Sequence, residues 1–230
     1  MKKTIFALLF MSVFISYPSF AAFILNGTRY IYNENDKNIS ITISNESKET
    51  YGGQVWVDNI NESDNSVSFI AIPSFFKVDG NDNQIIRIMK TSEALPKDRE
   101  SIFWLNVQEI PPKSKDKKSN IIVVAINTKV KLIYRPDNLS IKRLNAEKRI
   151  KLINDNGNYY LENPTPYYFA ITKIIVNEKT ISLKNKVSNK LAIFAPKTKV
   201  KLTSINLNSK SKIKIDAIDD YGATNQYEIN

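Results

Sequence analysis

The 230-residue chain has no cysteine, no histidine and only six glycines. Without cysteine no disulfide can form, so stability has to come from buried apolar surface. The same two absences remove the commonest metal ligands, the Ser-His and Cys-His nucleophile systems, and the usual switch near neutral pH. So few glycines provide no Gly-rich loop to cradle a phosphate. Long apolar runs are missing too: beyond the first twenty residues, no segment approaches the roughly 20 apolar residues needed to cross a bilayer. A non-enzymatic protein that needs neither cofactor nor metal is expected.

What is present begins with Lys2 and Lys3, an apolar run from Ile5 to Ile15, and Ser19-Phe20-Ala21, which sets small residues at the two positions read by signal peptidase. A cleaved secretory signal over residues 1–21 follows, with Ala22 the first mature residue. The apolar run is too short for an anchor, and membrane insertion is not expected. Loss of Lys2 and Lys3 lowers the formal charge from +10 to +8. The remaining lysines and arginines are scattered among asparagines and serines, with one dense cluster from Lys113 to Lys118. That pattern reads as solvated surface that steers acidic partners, not as a nucleic-acid site.

Short β-branched and aromatic segments with period-two alternation dominate, separated by Asn, Asp, Gly and Ser clusters. Strands are expected over 23–32, 39–44, 54–59, 67–72, 84–89, 102–107 and 121–134. Seven strands in about 115 residues point to an immunoglobulin-like sandwich, with Trp56 in mid-strand where such sandwiches bury a large aromatic. Arg135-Pro136-Asp137 then makes a stiff connector, because proline fixes its own φ and restricts its neighbour. Further strands are expected over 149–153, 158–162, 167–176, 191–195, 199–204 and 212–218. The chain reads as all-β, with domains over 22–136 and 137–230 and no long helical period.

Six motifs stand in order: Ile70-Ala71-Ile72-Pro73 with Arg87; Asp98-Arg99-Glu100-Ser101; Ile110-Pro111-Pro112; Thr128-x-x-Lys131-Leu132-x-Tyr134-Arg135-Pro136; Glu162-Asn163-Pro164-Thr165-Pro166-Tyr167-Tyr168; and Asp220-Tyr221-Gly222. Together they resemble the periplasmic pilus chaperones of the chaperone–usher pathway, the PapD-like family. The short loop over 111–120 and the lack of cysteine resemble its short-loop subgroup. The resemblance implies two immunoglobulin-like domains set in an L with a cleft between them. It further implies a periplasmic, ATP-independent chaperone that caps pilus subunits and delivers them to an outer-membrane usher.

The resemblance also implies roles for particular residues. Arg29 and Lys131 would anchor the C-terminal carboxylate of a pilus subunit, through charge-assisted hydrogen bonds in a partly desolvated cleft. The strand at 120–126 would complete the subunit's fold by β-strand addition, of which chaperone–pilin complementation is an established example. Its inserts would be Ile122, Val124 and Ile126. Glu100, Arg135 and Asp220 would form an ionic network that sets the angle between the domains.

From the residues alone, Ile122, Val124, Ile126, Thr128, Val130 and Leu132 share one parity, which is equally the pattern of a sandwich's own core face. Ile121, Val123 and Ala125 make the other face nearly as apolar, a hazard in an edge strand unless something covers it. Lys131 falls on the opposite parity from the inserts, and a bulge or twist near Asn127 is one way to reconcile them. Which face meets the client, and whether the free protein self-associates, stay open. Thr50-Tyr51-Gly52 departs from the family pattern at a segment used for usher docking. Ser209-x-x-Lys212 and Ser63-Asp64-Asn65 echo penicillin-binding enzymes in the wrong order and read as chance. A pilus subunit or adhesin should be one incomplete sandwich, and a carbohydrate-binding module should show aromatics beyond the needs of a core. Two complete β-domains do not fit the first, and Trp56 and Trp104, both in strand interiors, give the second no support.

Overall fold

A computed structural model describes residues 22–60, 66–113, 123–202 and 211–229. The expected signal segment, Ile122, Ser63-Asp64-Asn65, Ser209 and most of the lysine-rich loop lie outside these residues.

Two sheets build the first sandwich. One contains β1 (Phe23–Leu25), β3 (Ile39–Asn45), β7 (Asn83–Lys90) and β5 (Phe69–Ile72), in that spatial order. The other contains β2 (Arg29–Asn33), β9 (Asn127–Arg135), β8 (Ser101–Ile110), β4 (Tyr51–Asn59) and β6 (Phe75–Val78). The single strand expected at 23–32 is therefore two. β1 pairs antiparallel with β3, and β2 crosses to the other sheet and pairs parallel with β9. Asn26 holds the crossing: its Oδ1 accepts from Tyr30 Oη at 2.8 Å and from the Thr42 amide at 3.1 Å.

Period-two alternation supplies the core. Ile41 and Ile43 of β3, Ile86 and Ile88 of β7, Leu105 of β8 and Leu132 of β9 are all fully buried. Each such side chain contributes on the order of 1.5–3 kcal/mol. Phe69 lies edge-on to both Tyr32 and Phe103, at centroid distances of 5.1 and 5.0 Å. Trp56 is not in this core. Val55 takes the inward position, so the next residue points outward, and the half-buried indole donates from Nε1 to Asp58 Oδ2 at 2.9 Å.

The second sandwich has one sheet in the order β10 (Lys151–Asp155), β11 (Asn158–Asn163), β14 (Thr198–Leu202). Its other sheet runs β13 (Lys179–Thr180), β12 (Ala170–Val176), β15 (Ile213–Ile218), β16 (Thr224–Ile229). A short α1 (Asp137–Ser140) follows Pro136 and buries Leu139. The expected strand at 191–195 is instead the end of a helix followed by a turn: α2 spans Asn185–Ala192 and buries Val187 and Leu191, four residues apart on one face. Only Phe194 keeps a strand-like bridge, to Phe169. Asn163, fully buried, ties this region together: Nδ2 donates to the carbonyls of Tyr167 at 2.8 Å and Ala195 at 3.0 Å, and Oδ1 accepts from the Thr165 amide and hydroxyl.

Candidate functional site

Proline 136 ends β9 where the two sandwiches meet, and buried charge joins them. Arg135 donates from Nε to Glu100 Oε1 at 2.7 Å, and from Nη1 and Nη2 to the two carboxylate oxygens of Asp220 at 2.7 and 3.1 Å. Glu100 Oε2 accepts the Tyr168 amide at 2.7 Å, and the Glu100 amide donates to the Pro166 carbonyl at 2.9 Å. The three residues named from the sequence thus lie together, with every carboxylate oxygen partnered. Burial pushes the Glu100 carboxyl up despite Arg135. Burial also works against charge on Asp220, but Arg135 and Arg143 outweigh it and hold that carboxyl below its ordinary value.

Sequence reasoning missed Arg143. Its Nη2 lies 3.4 Å from Asp220 Oδ1 and 2.8 Å from Glu147 Oε1. Spacing gave no usable signal, because Arg143 lies outside the short 3-10 helix over Ala146–Arg149 that carries Glu147, and Asn145 between them has φ +56°. It also missed Lys197, which reaches Asp98 Oδ2 at 2.9 Å.

The turn carrying Asp220 reaches the first sandwich a second time. Gly222 has φ +88°, and a Cβ there would lie 2.8 Å from Thr28 Oγ1. Only glycine accepts both that backbone and that approach. Next to Thr28, Arg29 donates from Nη1 to the Ile218 carbonyl at 3.0 Å. Arg29 Nε is buried with no partner among the described residues.

Register places Lys131 beside Arg29. The parallel ladder pairs Arg29 with Lys131 at the first step of β2, so both side chains leave the same outward face. Lys131 Nζ donates to the carbonyl of Ala192, the last residue of α2, at 2.6 Å. Burial first, and then the neighbouring Arg29 charge, lower the Lys131 ammonium to about 8. Burial lowers Arg29 as well, against the pull of Asp220 and Asp219. Among the described residues, these two adjacent half-buried cations therefore hydrogen-bond only to backbone carbonyls. An arriving carboxylate would offer both of them a far stronger acceptor.

The same ladder exposes an edge. β8 flanks β9 from Tyr134 back to Asn127, but β2 flanks it only from Lys131 to Arg135. Among the described residues, 127–130 are consequently paired on one side only. The segment before them, 123–126, was expected to be strand and has no strand geometry; it is tethered where the Glu109 amide donates to the Ile126 carbonyl at 2.9 Å. Val124 and Ile126 are 69% and 40% exposed, so neither fills the core of this sandwich.

The β8–β9 register runs from Gln108–Asn127 to Ser101–Tyr134 without a shift. No bulge near Asn127 brings Lys131 to the parity of Val124 and Ile126. Val130 and Leu132 face the core, and Lys131 faces outward toward the second domain. Lys131 and the apolar pair Val130 and Leu132 occupy opposite faces of β9.

Comparison with known proteins matches both halves. Residues 22–140 match the family model for the pili and flagellar-assembly chaperone PapD, N-terminal domain, and residues 137–229 that for the pili assembly chaperone PapD, C-terminal domain. The chain is 48% identical to the chaperone protein FanE of Escherichia coli over 95% of its length and 94% of that protein's. It is 41% identical to the chaperone protein FaeE of the same species, over 91% and 79% of the two lengths. Among solved structures, it resembles the E. coli chaperone DraB with a TM-score of 0.74 at 25% identity, covering 90% of this chain and 95% of that one. The SafB chaperone of Salmonella enterica, solved in complex with the SafA pilin, shares the fold with a TM-score of 0.76 at 22% identity, over 92% and 97%.

Proposed function

We propose, because the chain belongs to the PapD family of pilus-assembly chaperones, that it is exported to the periplasm and there captures newly arrived pilus subunits for an outer-membrane usher. The signal over 1–21 would be removed, leaving a subunit-binding domain over 22–136 and a second domain over 137–230. Arg29 and Lys131 would anchor the subunit's C-terminal carboxylate. The subunit's last strand would add to the open edge of β9, and Ile122, Val124 and Ile126 would enter the subunit's groove. Glu100, Arg135 and Asp220 would hold the two domains at a fixed angle.

The observation that carries this reading is the coincidence of the cation pair with the end of the open edge. β2 begins covering β9 at the very residue whose side chain pairs with Arg29. A foreign strand on the edge therefore runs out of room where its terminal carboxylate would meet both cations. Nothing in this cycle needs a nucleotide. Release would follow when the subunit finds a better-fitting strand.

The test is recovery of pilus subunits from the periplasm with tagged wild type and with Lys131→Glu. Wild type should bring down small pilin-like proteins, and the variant, still folded, should bring down none. Equal recovery with a folded variant would remove the anchor from the mechanism.

A further inference from the structure

The outward face of the five-stranded sheet carries more than the anchor. Register sets Arg29, Lys131, Trp104 and Asp58 in one row across β2, β9, β8 and β4, and Lys129, Asn106 and Trp56 in the next. Asp58 is the one acid in these two rows, and its Oδ2 is already shared by Trp56 Nε1 and Asn106 Nδ2, both at 2.9 Å. Lys129 is exposed and makes no ion pair with any described carboxylate. Its ammonium rests 5.1 Å from the centre of the Trp104 ring. Trp104 is half-buried and lies on β8, so Lys129 is propped on a fixed aromatic surface one strand in from the open edge.

Direction and spacing then define what meets it. A strand lying on the edge at 127–130 and ending at the Arg29–Lys131 pair has to run parallel to β9, in line with β2. Its residue level with Lys129 is at most two short of the level of Lys131. Residues level with each other on neighbouring strands share a face and lie about 5 Å apart. The side chain beside Lys129 therefore belongs to one of the last three residues of the bound strand. The face it meets is positive beside the edge, with Arg29, Lys131 and Lys129, and the one acid of the two rows, Asp58, stands two strands farther in on β4.

We propose that Lys129, supported by Trp104, selects pilus subunits that carry an acidic side chain within the last three residues before the terminal carboxylate. This rests on the anchoring by Arg29 and Lys131 proposed above. Lys129 would act as a specificity residue, distinguishing subunits that the two anchor cations alone treat alike.

The experiment is a charge swap. The subunit recovered with the wild-type protein is made with Glu or with Lys at each of its last three positions. Each form is co-expressed with wild type, Lys129→Glu or Lys131→Ala, and the co-purified yield is measured. With wild type, one position should favour Glu over Lys by about two- to five-fold, the range of a solvent-exposed ion pair. Lys129→Glu should reverse the order at that position and leave the other two unchanged. Misfolding cannot produce a reversal. An unchanged order at all three positions, or an equal shift at all three, would overturn the proposal. Full recovery with Lys131→Ala would instead overturn the anchoring on which it rests.

Discussion

Lys131 is a lysine whose charge is lost within reach of mild alkali, because burial and Arg29 lower it to about 8. Capture of a carboxylate requires the ammonium. Affinity for a subunit should therefore be flat below about pH 8 and weaken above it, by up to tenfold per pH unit. Lys131→Arg should move that loss to higher pH, since the guanidinium keeps its proton. A binding titration across this range checks both, and an affinity unchanged up to pH 10 would place the carboxylate elsewhere. The fold responds with the opposite sign. Between about 8 and the ordinary lysine value of 10.5 the unfolded chain binds more protons than the folded one, so this group makes the native state more stable as pH rises. Weakening of capture above pH 8 is thus not explained by Lys131 unfolding the protein.

β9 does two jobs along one length. From Leu132 to Tyr134 it is core; toward Asn127 and the segment before it, side chains leave the sandwich. Replacing Val124 or Ile126 with Asp should abolish subunit capture and change the chaperone's own stability by no more than about 0.5 kcal/mol, as for other exposed positions. Thermal melting beside a capture assay reads both quantities. A large drop in melting temperature would return these residues to the core. Period-two alternation made most strands legible, including β3, β7, β8 and β15, because each has several inward apolar residues. It failed where the signal was short or sparse. β6 has four residues, β16 rests on Tyr227 and Ile229 alone, and α2 shows only Val187 and Leu191 among polar neighbours. The run Leu191-Ala192-Ile193-Phe194 then imitated a strand. Trp56 was misplaced by one parity, since Val55 beside it is just as apolar. Motifs led to the charged side chains of the candidate site. The carbonyls of Ala192 and Ile218 could not be read, because any residue supplies a carbonyl and only the fold brings these two to Lys131 and Arg29.

At the scale of the whole molecule, the side chain of Arg135 is 7% exposed and sits between Glu100, fully buried, and Asp220, 21% exposed. Breaking a buried pair from one side leaves the other charge uncompensated, and Arg135→Met should cost about 3–5 kcal/mol. Adding Glu100→Gln to Arg135→Met should recover part of that loss, because it removes the stranded charge. Calorimetry of the single and double variants tests this, and a double variant no better than the single would mean that Glu100 is not the stranded partner. The same substitution removes the bidentate tie between the sandwiches, while Glu100–Tyr168, Glu100–Pro166, Lys197–Asp98, Arg29–Ile218 and Lys131–Ala192 still join them. The account's central claim is that a free carboxylate at the end of the subunit docks where the open edge of β9 meets the cation pair. The most direct measurement compares the affinity of purified wild-type protein for one pilus subunit with its own C-terminus and for the same subunit extended by a short Gly-Ser tail. Loss of binding on extension, by the same factor as Lys131→Glu and with no further loss when the two are combined, is the predicted result. Equal affinity for the native and extended subunits would contradict it.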